Sequence, residues 1–221
     1  MLSYDITKKK FYIFFFLYII FIFIISYIIL KFLEPLILIV FLIICSSIFF
    51  LFFSIILYKK TNNHISNLER KILSLGGEIY VNQLSFTFPI YFGDWSIDGD
   101  LARIMVKDII ENRRNFILEL GSGSSTIIIA QLLKKLGKGK FYSIEDNENF
   151  YNKIKRELSL NGLEYNVNLI LSPLKQIIVD NKEFLWYDTN FIKEIEKVDF
   201  LFVDGPPAYI QEISRFPALP L

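Results

Sequence analysis

The chain has 221 residues, of which 53% are hydrophobic, and its mean hydropathy of +0.41 is high for a protein surrounded by water alone. Its 24 basic and 23 acidic side chains nearly cancel, which excludes the broad basic surface that nucleic acids require. One cysteine and one histidine exclude an intrachain disulfide and cysteine- or histidine-rich metal sites, so we predict no metal site.

The apolar excess is concentrated in the first 60 residues, which predict a two-helix transmembrane hairpin. Residues 11–30 contain no charged side chain, and residues 35–58 form a second run of this kind. A helix of 20 residues is roughly 30 Å long, enough to cross the hydrocarbon core of a bilayer. A cleaved signal peptide would have a shorter apolar core and a small-residue cleavage site, and neither is found.

Lysines flank the predicted hairpin on one side. They occupy positions 8–10 before the first span and positions 59–60 after the second, whereas the tight turn between the spans holds Lys31 and Glu34. The positive-inside rule then places both ends of the hairpin in the cytoplasm. We therefore predict a multi-pass inner-membrane protein that is anchored in the lipid bilayer and whose remaining residues lie in the cytoplasm.

Residues 61–94 are predicted to form an amphipathic connector. Ile65, Leu68, Ile72 and Leu75 recur at spacings of three and four, as on one face of a helix, and the glycines at positions 76–77 are predicted to end that helix. The apolar face could pair with a second copy, lie on the membrane or pack on its own domain. We favour the last of these.

Residues 95–221 are predicted to form an α/β domain with a doubly wound, mostly parallel, Rossmann-like sheet. The first helix begins at a cap, either Ser96 or Asp98. Apolar strands that alternate with helices indicate a parallel sheet covered on both faces, and such sheets bind ligands at the carboxyl ends of their strands. In chain order we predict helix 98–112, strand 115–120, helix 125–136, strand 140–146, helix 147–160, strand 166–172 and strand 198–204.

The turn after the first strand, in ILELGSGSST, carries the functional signal. Gly121 and Gly123 allow close approach of a ligand, but a dinucleotide fold prefers a third glycine where Thr126 stands. Glu119 before the turn repels phosphate and suits an ammonium group. Glu145, 22 residues beyond Gly123, is placed to accept both hydroxyl groups of a ribose. These features favour S-adenosylmethionine as the cofactor over NAD.

The ordered segments ELGSGSST, YSIED and VDFLFVDGPP resemble the motif series of the class I S-adenosylmethionine-dependent methyltransferases, over about Trp95 to Leu221. The resemblance is closest to a bacterial, membrane-anchored branch with DGPP after the fourth strand and a segment like RFPALPL beyond it. That family has seven strands, whereas four are predicted here with 17 residues after Asp204. The resemblance therefore implies a partial domain, truncated at its C-terminus.

The resemblance also implies roles for individual residues. Glu119 would lie near the amino group of the cofactor's methionine moiety, Gly121, Ser122 and Gly123 would form the cofactor loop, and Glu145 would hold the ribose. The segment SPLKQ lacks the acidic residue that often contacts adenine, so adenine recognition is undefined.

Other residues keep two interpretations. Asp146 suits the cap of the helix that follows it better than Glu145 does. Asp204 is either a structural strand-end residue or a catalytic residue with a substrate or metal role. Trp186 and Tyr187 are packing residues or line a substrate pocket, and Arg215 forms a surface salt bridge or binds an anionic substrate.

The predicted function is therefore methyl transfer from S-adenosylmethionine by a membrane-anchored enzyme, to a small-molecule or lipid-linked acceptor that the sequence does not identify. Two alternatives remain. One is an NAD(P)-dependent oxidoreductase on a related sheet, which Thr126 and Glu119 disfavour. The other is a non-catalytic membrane scaffold with a relict methyltransferase fold.

Overall fold

The computed structural model describes residues 2–32, 35–93, 96–188 and 197–219, so the predicted turn at 33–34 and Trp95 lie outside the described residues. The chain divides into two units, Met1–Leu68 and Glu69–Leu221. The helices are α1 (Leu2–Phe32), α2 (Pro35–Asn82), α3 (Gly99–Glu111), α4 (Ser124–Leu136) and α5 (Glu148–Asn161). The strands are β1 (Phe116–Leu120), β2 (Lys140–Glu145), β3 (Asn168–Leu171), β4 (Lys175–Val179), β5 (Lys182–Trp186) and β6 (Phe200–Val203).

In the first unit, α1 and α2 pack against each other in opposite directions. The Phe49 ring lies 5.5 Å from the ring of Phe15 and 5.6 Å from that of Tyr18, measured between centroids. The Tyr18 hydroxyl donates to the backbone carbonyl of Cys45. Because residues earlier in α1 contact residues later in α2, the pair is antiparallel, as the predicted hairpin requires.

The apolar side chains of the first unit face outward. Helix α2 is long and apolar enough to cross a membrane by length and composition, and only 6% of its most apolar window is buried. The corresponding apolar part of α1 over the described residues is shorter, Phe15–Lys31. One helix therefore meets the requirement for a span, and the second span and its orientation remain predictions.

Helix α2 does not end at Gly76 and Gly77, and this prediction was wrong. The helix continues to Asn82. A β-carbon on Gly77 would lie 1.9 Å from the backbone oxygen of Gly99, at the start of α3. Gly77 therefore stands inside the helix because the backbone of α3 passes directly against it, and not because it terminates the helix.

The apolar face of the connector does not pack on its own domain, contrary to the favoured interpretation. Its four members are 48–66% exposed: Ile65, Leu68, Ile72 and Leu75. Helix α2 contacts its domain through another face. Ser74 Oγ accepts a hydrogen bond from Gly99 N, and Val81 is fully buried. The division of the chain at residues 60 and 94 stays a prediction.

The second unit contains a four-stranded parallel sheet in the order β3-β2-β1-β6, as the four predicted strands require. Helices α4 and α5 connect β1 to β2 and β2 to β3 on one side, and β6 then returns to the other side of β1. The strand order reverses between β1 and β6. The carboxyl ends of these two strands therefore flank the point where open α/β sheets bind ligands.

The two faces of the sheet are covered by different elements. The C-terminal end of α2 and helices α3, α4 and α5 cover one face, where Ile117 and Phe141 point into the largest core cluster. Residues 124–133 of α4 are all buried. Helix α3 begins at Asp98, whose carboxylate accepts a hydrogen bond from Leu101 N at 2.8 Å, so the predicted cap is confirmed.

The other face is covered by an antiparallel hairpin, β4–β5, that the sequence analysis missed. Its turn residues Asp180 and Asn181 have positive φ angles of 49° and 61°, as a two-residue hairpin turn requires. Gln211 fixes its outer edge by accepting from Leu185 N and donating to Leu185 O. The signal was present as two apolar runs joined by Asp-Asn in IIVDNKEFLW.

Candidate functional site

Three strand ends converge at the carboxyl edge of the sheet. The Gly121 amide donates to the Ile144 carbonyl at the end of β2, over 2.8 Å. The amides of Asp204 and Gly205 both donate to the Leu120 carbonyl, at 2.8 and 2.7 Å. The loops that follow β1 and β6 are therefore each fixed to the end of the neighbouring strand by backbone hydrogen bonds.

Two glycines make this convergence possible. Gly121 has a φ of 91°, and a β-carbon on it would lie 2.5 Å from the Gly205 nitrogen. A β-carbon on Gly205 would lie 2.1 Å from the hydroxyl of Tyr187. Gly123 has an extended backbone, which any residue adopts, and the nearest atom to its β-carbon position is Ser125 Oγ at 3.8 Å. Gly121 is thus required by conformation, whereas Gly123 leaves open space above the loop.

Glu145 braces the loop from the end of β2. Its Oε2 accepts from both the amide and the hydroxyl of Ser122, each at 2.9 Å, and its Oε1 accepts from the Asn147 amide at 3.0 Å. Burial raises the pKa of Glu145, while these hydrogen bonds oppose the shift. A carboxylate has about four acceptor sites, so the contacts observed here leave room for a further donor.

Glu119 lies beneath the loop and is fully buried. Its Oε2 accepts from the hydroxyls of Thr126 and Ser143, both at 2.5 Å, and the Thr126 hydroxyl oxygen accepts from the Gly123 amide. Its Oε1 has no hydrogen-bond partner in the described chain. Burial raises the pKa of Glu119 to about 7, against the opposing effect of neighbouring hydroxyl groups. This network couples Glu119 to the loop through Thr126, where a dinucleotide fold would have glycine.

Asp204 and Arg215 form an ion pair at the solvent-exposed side of the carboxyl edge of the sheet. The Arg215 guanidinium lies 3.0 Å from Asp204 Oδ1 and also donates to the Asp204 backbone carbonyl. Both side chains are about half exposed. Arg215 therefore forms the salt bridge that the sequence favours for it, and the substrate or metal role of Asp204 stays a prediction.

Asp146 is not the helix cap, and this expectation was wrong. Helix α5 is capped by Asn147, whose Oδ1 accepts from the amides of Asn149 and Phe150. The cap moved by one residue because Glu145 and Asp146 both stand at the strand end, and the chain turns into the helix only after them. Burial raises the pKa of Asp146, which lies beside the candidate site.

Tyr187 is a buried neighbour of the site to which the sequence analysis gave little weight. Trp186 and Tyr187 are 1% and 0% exposed and pack under the sheet against Leu118, Leu120 and Ile144. The Tyr187 hydroxyl is close to the Asp146 carboxylate but has no partner of ordinary hydrogen-bond geometry among the described residues. Burial, followed by the charges of Asp146 and Glu145, raises its pKa. The packing interpretation of these two aromatic residues is therefore confirmed.

Residues 118–219 match the family model of a methyltransferase domain. The match supports a class I S-adenosylmethionine-dependent methyltransferase, and it includes every residue predicted to form the site. The matched residues are less than half of the chain, and the match supports the methyltransferase resemblance over that region. Membership of a membrane-anchored branch and the family significance of the DGPP segment stay predictions.

One solved structure with a partial likeness is a provisionally assigned O-methyltransferase from Klebsiella pneumoniae. The two proteins share 18% identity at a TM-score of 0.33, over 46% of this chain and 43% of that one. This chain therefore spans less than half the length of that protein.

The α/β domain brings together all the residues that the sequence nominated. Gly121, Ser122 and Glu145 are in direct or hydrogen-bonded contact, Glu119 lies one layer below them, and Asp204 adjoins Gly121 through the backbone of Gly205. The roles assigned to these residues in cofactor binding stay predictions.

Proposed function

We propose that this chain is a membrane-anchored, S-adenosylmethionine-dependent methyltransferase. The observation that carries the proposal is the loop at residues 121–123, which is braced by the Glu145 carboxylate at the switch point between β1 and β6. The match of residues 118–219 to a methyltransferase domain supports the same assignment.

The residues of the edge fit this cofactor. Gly123 leaves open space above the loop, where a β-carbon would have only one atom near contact distance. Glu145 would hold the ribose hydroxyls through its remaining acceptor capacity, and the unpartnered Oε1 of Glu119 is a buried acceptor below the loop. A buried acceptor without a donor is costly, so a cationic amino group nearby would be stabilised.

The charge of the edge favours a cation over a pyrophosphate. The carboxylates of Glu145, Asp146 and Asp204 lie at or beside the strand ends of this edge. Arg215, which contacts the edge, is paired with Asp204. A pyrophosphate would be repelled by this arrangement, whereas a sulfonium and an ammonium would be attracted. This observation disfavours the NAD(P)-dependent alternative.

The protein's contribution to the reaction is to bind the cofactor and to align the acceptor with it. When bound, the cofactor supplies an electrophilic methyl group, so the chain must hold an acceptor nucleophile in line with it. Asp204 stands at the exposed side of the edge and is the candidate for contact with that acceptor. The ion pair with Arg215 fixes the direction of its carboxylate.

The anchor places this chemistry at the membrane. The outward apolar surface of α2 has no cover within the described chain, and exposing it to water would be strongly unfavourable. We propose that it is embedded in the bilayer with the domain on the cytoplasmic side. An acceptor that is lipid-linked or close to the membrane fits this position, and a small molecule is the other class.

Cofactor identity is tested by isothermal titration of the full chain in detergent micelles. S-adenosylmethionine and S-adenosylhomocysteine should bind with a stoichiometry of one, and NADH and NADPH should not. Binding of a dinucleotide in place of S-adenosylmethionine would overturn the proposal.

The reaction is tested by incubating membranes that contain the chain with S-adenosylmethionine carrying a labelled methyl group. Label should enter a lipid-extractable or small-molecule fraction. Tight cofactor binding with no labelled product in any fraction would favour a scaffold with a relict fold instead.

A further inference from the structure

The exposed apolar face of α2 continues beyond the four residues recognised in the sequence. Ile79 extends it, so that positions 65, 68, 72, 75 and 79 alternate spacings of three and four. In heptad notation, Ile65, Ile72 and Ile79 occupy a positions, and Leu68 and Leu75 occupy d positions. An apolar seam of this period is the signature of a coiled coil.

This seam is free to meet a partner because the helix uses its other side for the domain. Ser74 and Gly77, at c and f positions, contact the start of α3, and Val81 enters the core. The five seam residues are 48–68% exposed, and Ile72 and Ile79 are the most exposed of them. The helix therefore has two faces with separate roles.

The residue types select a particular partner. Isoleucine at a with leucine at d favours two parallel strands over three or four. In a parallel pair, His64 at g faces Glu69 at e of the other helix, and Lys71 at g faces Gly76. No g–e pair therefore brings like charges together, and one of them sets a donor against a carboxylate.

The width of the apolar face argues against the membrane surface as its cover. A helix that lies on a membrane presents a broad apolar face, whereas this seam is a narrow stripe of a and d positions, which is the geometry of a coiled coil. The parallel arrangement of the two chains depends on the proposed membrane anchor.

The proposed membrane anchor also explains how a seam this short can hold a dimer. Five apolar positions over two heptads are too few for a stable dimer of free helices, since isolated short coiled coils are marginal in water. Two chains inserted in one membrane are held parallel and at high effective concentration, which lowers the affinity that the seam must supply.

We propose that α2 forms a parallel, two-stranded coiled coil with a second copy of this chain, through a seam of Ile65, Leu68, Ile72, Leu75 and Ile79. The two methyltransferase domains are then held side by side at the membrane.

The test is disulfide cross-linking of the full chain in lipid vesicles, in a Cys45→Ala background that removes the only native cysteine. Leu68→Cys and Leu75→Cys place a thiol at d positions, where two parallel helices bring identical residues together. Leu73→Cys is the matched control, because Leu73 is 54% exposed but lies at a b position, away from the seam. The first two variants should form a disulfide-linked species of twice the 26.0 kDa monomer mass, about tenfold faster than the control.

A second pair of variants separates loss of the dimer from loss of the fold. Ile72→Glu, combined with Leu68→Cys, should abolish the cross-link, whereas Leu73→Glu in the same background should retain it. Both variants should keep the tryptophan fluorescence of the folded domain, since both positions are exposed. None of these readouts depends on cofactor binding or turnover.

Three results would overturn the proposal. One is the absence of cross-linking at both d positions, and another is equal cross-linking at positions 68, 73 and 75. The third is protection of the seam cysteines from a water-soluble maleimide when the chain is so dilute in the membrane that dimers do not form. Such protection would place the seam on the membrane surface.

Discussion

Two glutamates beside the loop at residues 121–123 show how the local environment gives the same side chain different properties. Glu145 lies at the end of a strand, where both of its oxygens meet backbone N–H donors. Glu119 lies one layer deeper, where one oxygen accepts from two hydroxyls and the other has no partner of ordinary hydrogen-bond geometry, although the Ser125 hydroxyl is close to the carboxylate. The first has acceptor capacity left for a ligand. The second is suited to titrate near neutral pH.

We expect Glu145→Gln to weaken S-adenosylmethionine binding by about tenfold to a hundredfold. Glutamine has a single acceptor oxygen, so it cannot serve the amides of Ser122 and Asn147 together, and it also lacks the charge that strengthens hydrogen bonds to ribose. Calorimetric titration measures the loss.

The matched control is Asn147→Ala, which removes the cap of α5. It should lower the free energy of unfolding by about 1 kcal/mol and leave the cofactor affinity unchanged. The opposite pattern, with affinity lost in Asn147→Ala and kept in Glu145→Gln, would remove Glu145 from the site.

Glu119 predicts a pH-dependent stability. Because burial raises its pKa from 4.5 to about 7, the folded state keeps a proton that the unfolded chain loses across this interval. The free energy of unfolding should therefore fall by about 3 kcal/mol between pH 4.5 and pH 7, from this group, and level off above. Urea unfolding at a series of pH values, followed by the fluorescence of the buried Trp186, measures it.

Glu119→Gln isolates this contribution, since Glu145 and Asp146 also have raised pKa values and contribute a slope of the same sign. Between pH 4.5 and pH 7, the free energy of unfolding should fall less steeply in this variant than in the native chain. An unchanged slope would mean that Glu119 is ionised throughout this range.

At the scale of elements, the end of α2 is part of the α/β domain. Gln131, buried in α4, donates to the carbonyls of Leu84 and Ser85 just after α2, at 2.8 and 3.0 Å. Gly77 meets α3 on the same side. Helix α4, which follows the loop at residues 121–123, and the end of α2 are thus packed into one core.

The two adjacent glycines of α2 are expected to respond to the same substitution with opposite signs. Gly77→Ala should destabilise the domain by about 2–3 kcal/mol, because its methyl group would overlap the Gly99 backbone and force α2 and α3 apart. Gly76→Ala should stabilise it by about 1 kcal/mol, since nothing lies within 4 Å and alanine favours the helix.

Urea unfolding of both variants in the full chain gives the comparison directly. Equal effects of the two substitutions would show that helix propensity, and not the crossing with α3, determines the stability of this segment.

At the scale of the molecule, the chain divides into two units that bury their apolar side chains to different extents. Among the described side chains of the first unit, Ile29 and Cys45 are the buried apolar ones, and most of the other apolar residues are exposed. The second unit buries a layered α/β core on both faces of its sheet. Such a division is expected when one part is solvated by lipid and the other by water.

The predicted topology places residues 1–10 and the methyltransferase domain on the same, cytoplasmic side. A fluorescent reporter that folds only in the cytoplasm should be active when fused after residue 60, and an alkaline phosphatase fusion at the same position should be inactive. Moving the lysines of positions 8–10 and 59–60 to the turn should reverse the pattern, because flanking positive charge sets the orientation. Phosphatase activity in the unmodified chain would contradict it.

The sequence by itself determined the four parallel strands and the residues that stand at their carboxyl edge. Strands with continuous apolar runs can only be buried on two faces, so the four parallel strands follow from local composition. The ligand edge follows too, because the carboxyl ends of parallel strands must meet. Glu119, Gly121, Ser122, Gly123, Glu145 and Asp204 were nominated for this reason, and the structure brings them together.

Tertiary structure alone decided how these residues are used. Whether Gly77 ends a helix or lets another backbone pass depends on α3, which lies more than 20 residues away along the chain. The choice of Asn147 over Asp146 as cap depends on where β2 releases the chain, and the depth of Glu119 depends on α4 closing over it. The amphipathic period of α2 predicted an apolar face. Only the packing of its opposite side showed that this face stays exposed, because periodicity gives the face of a helix but not what lies against it.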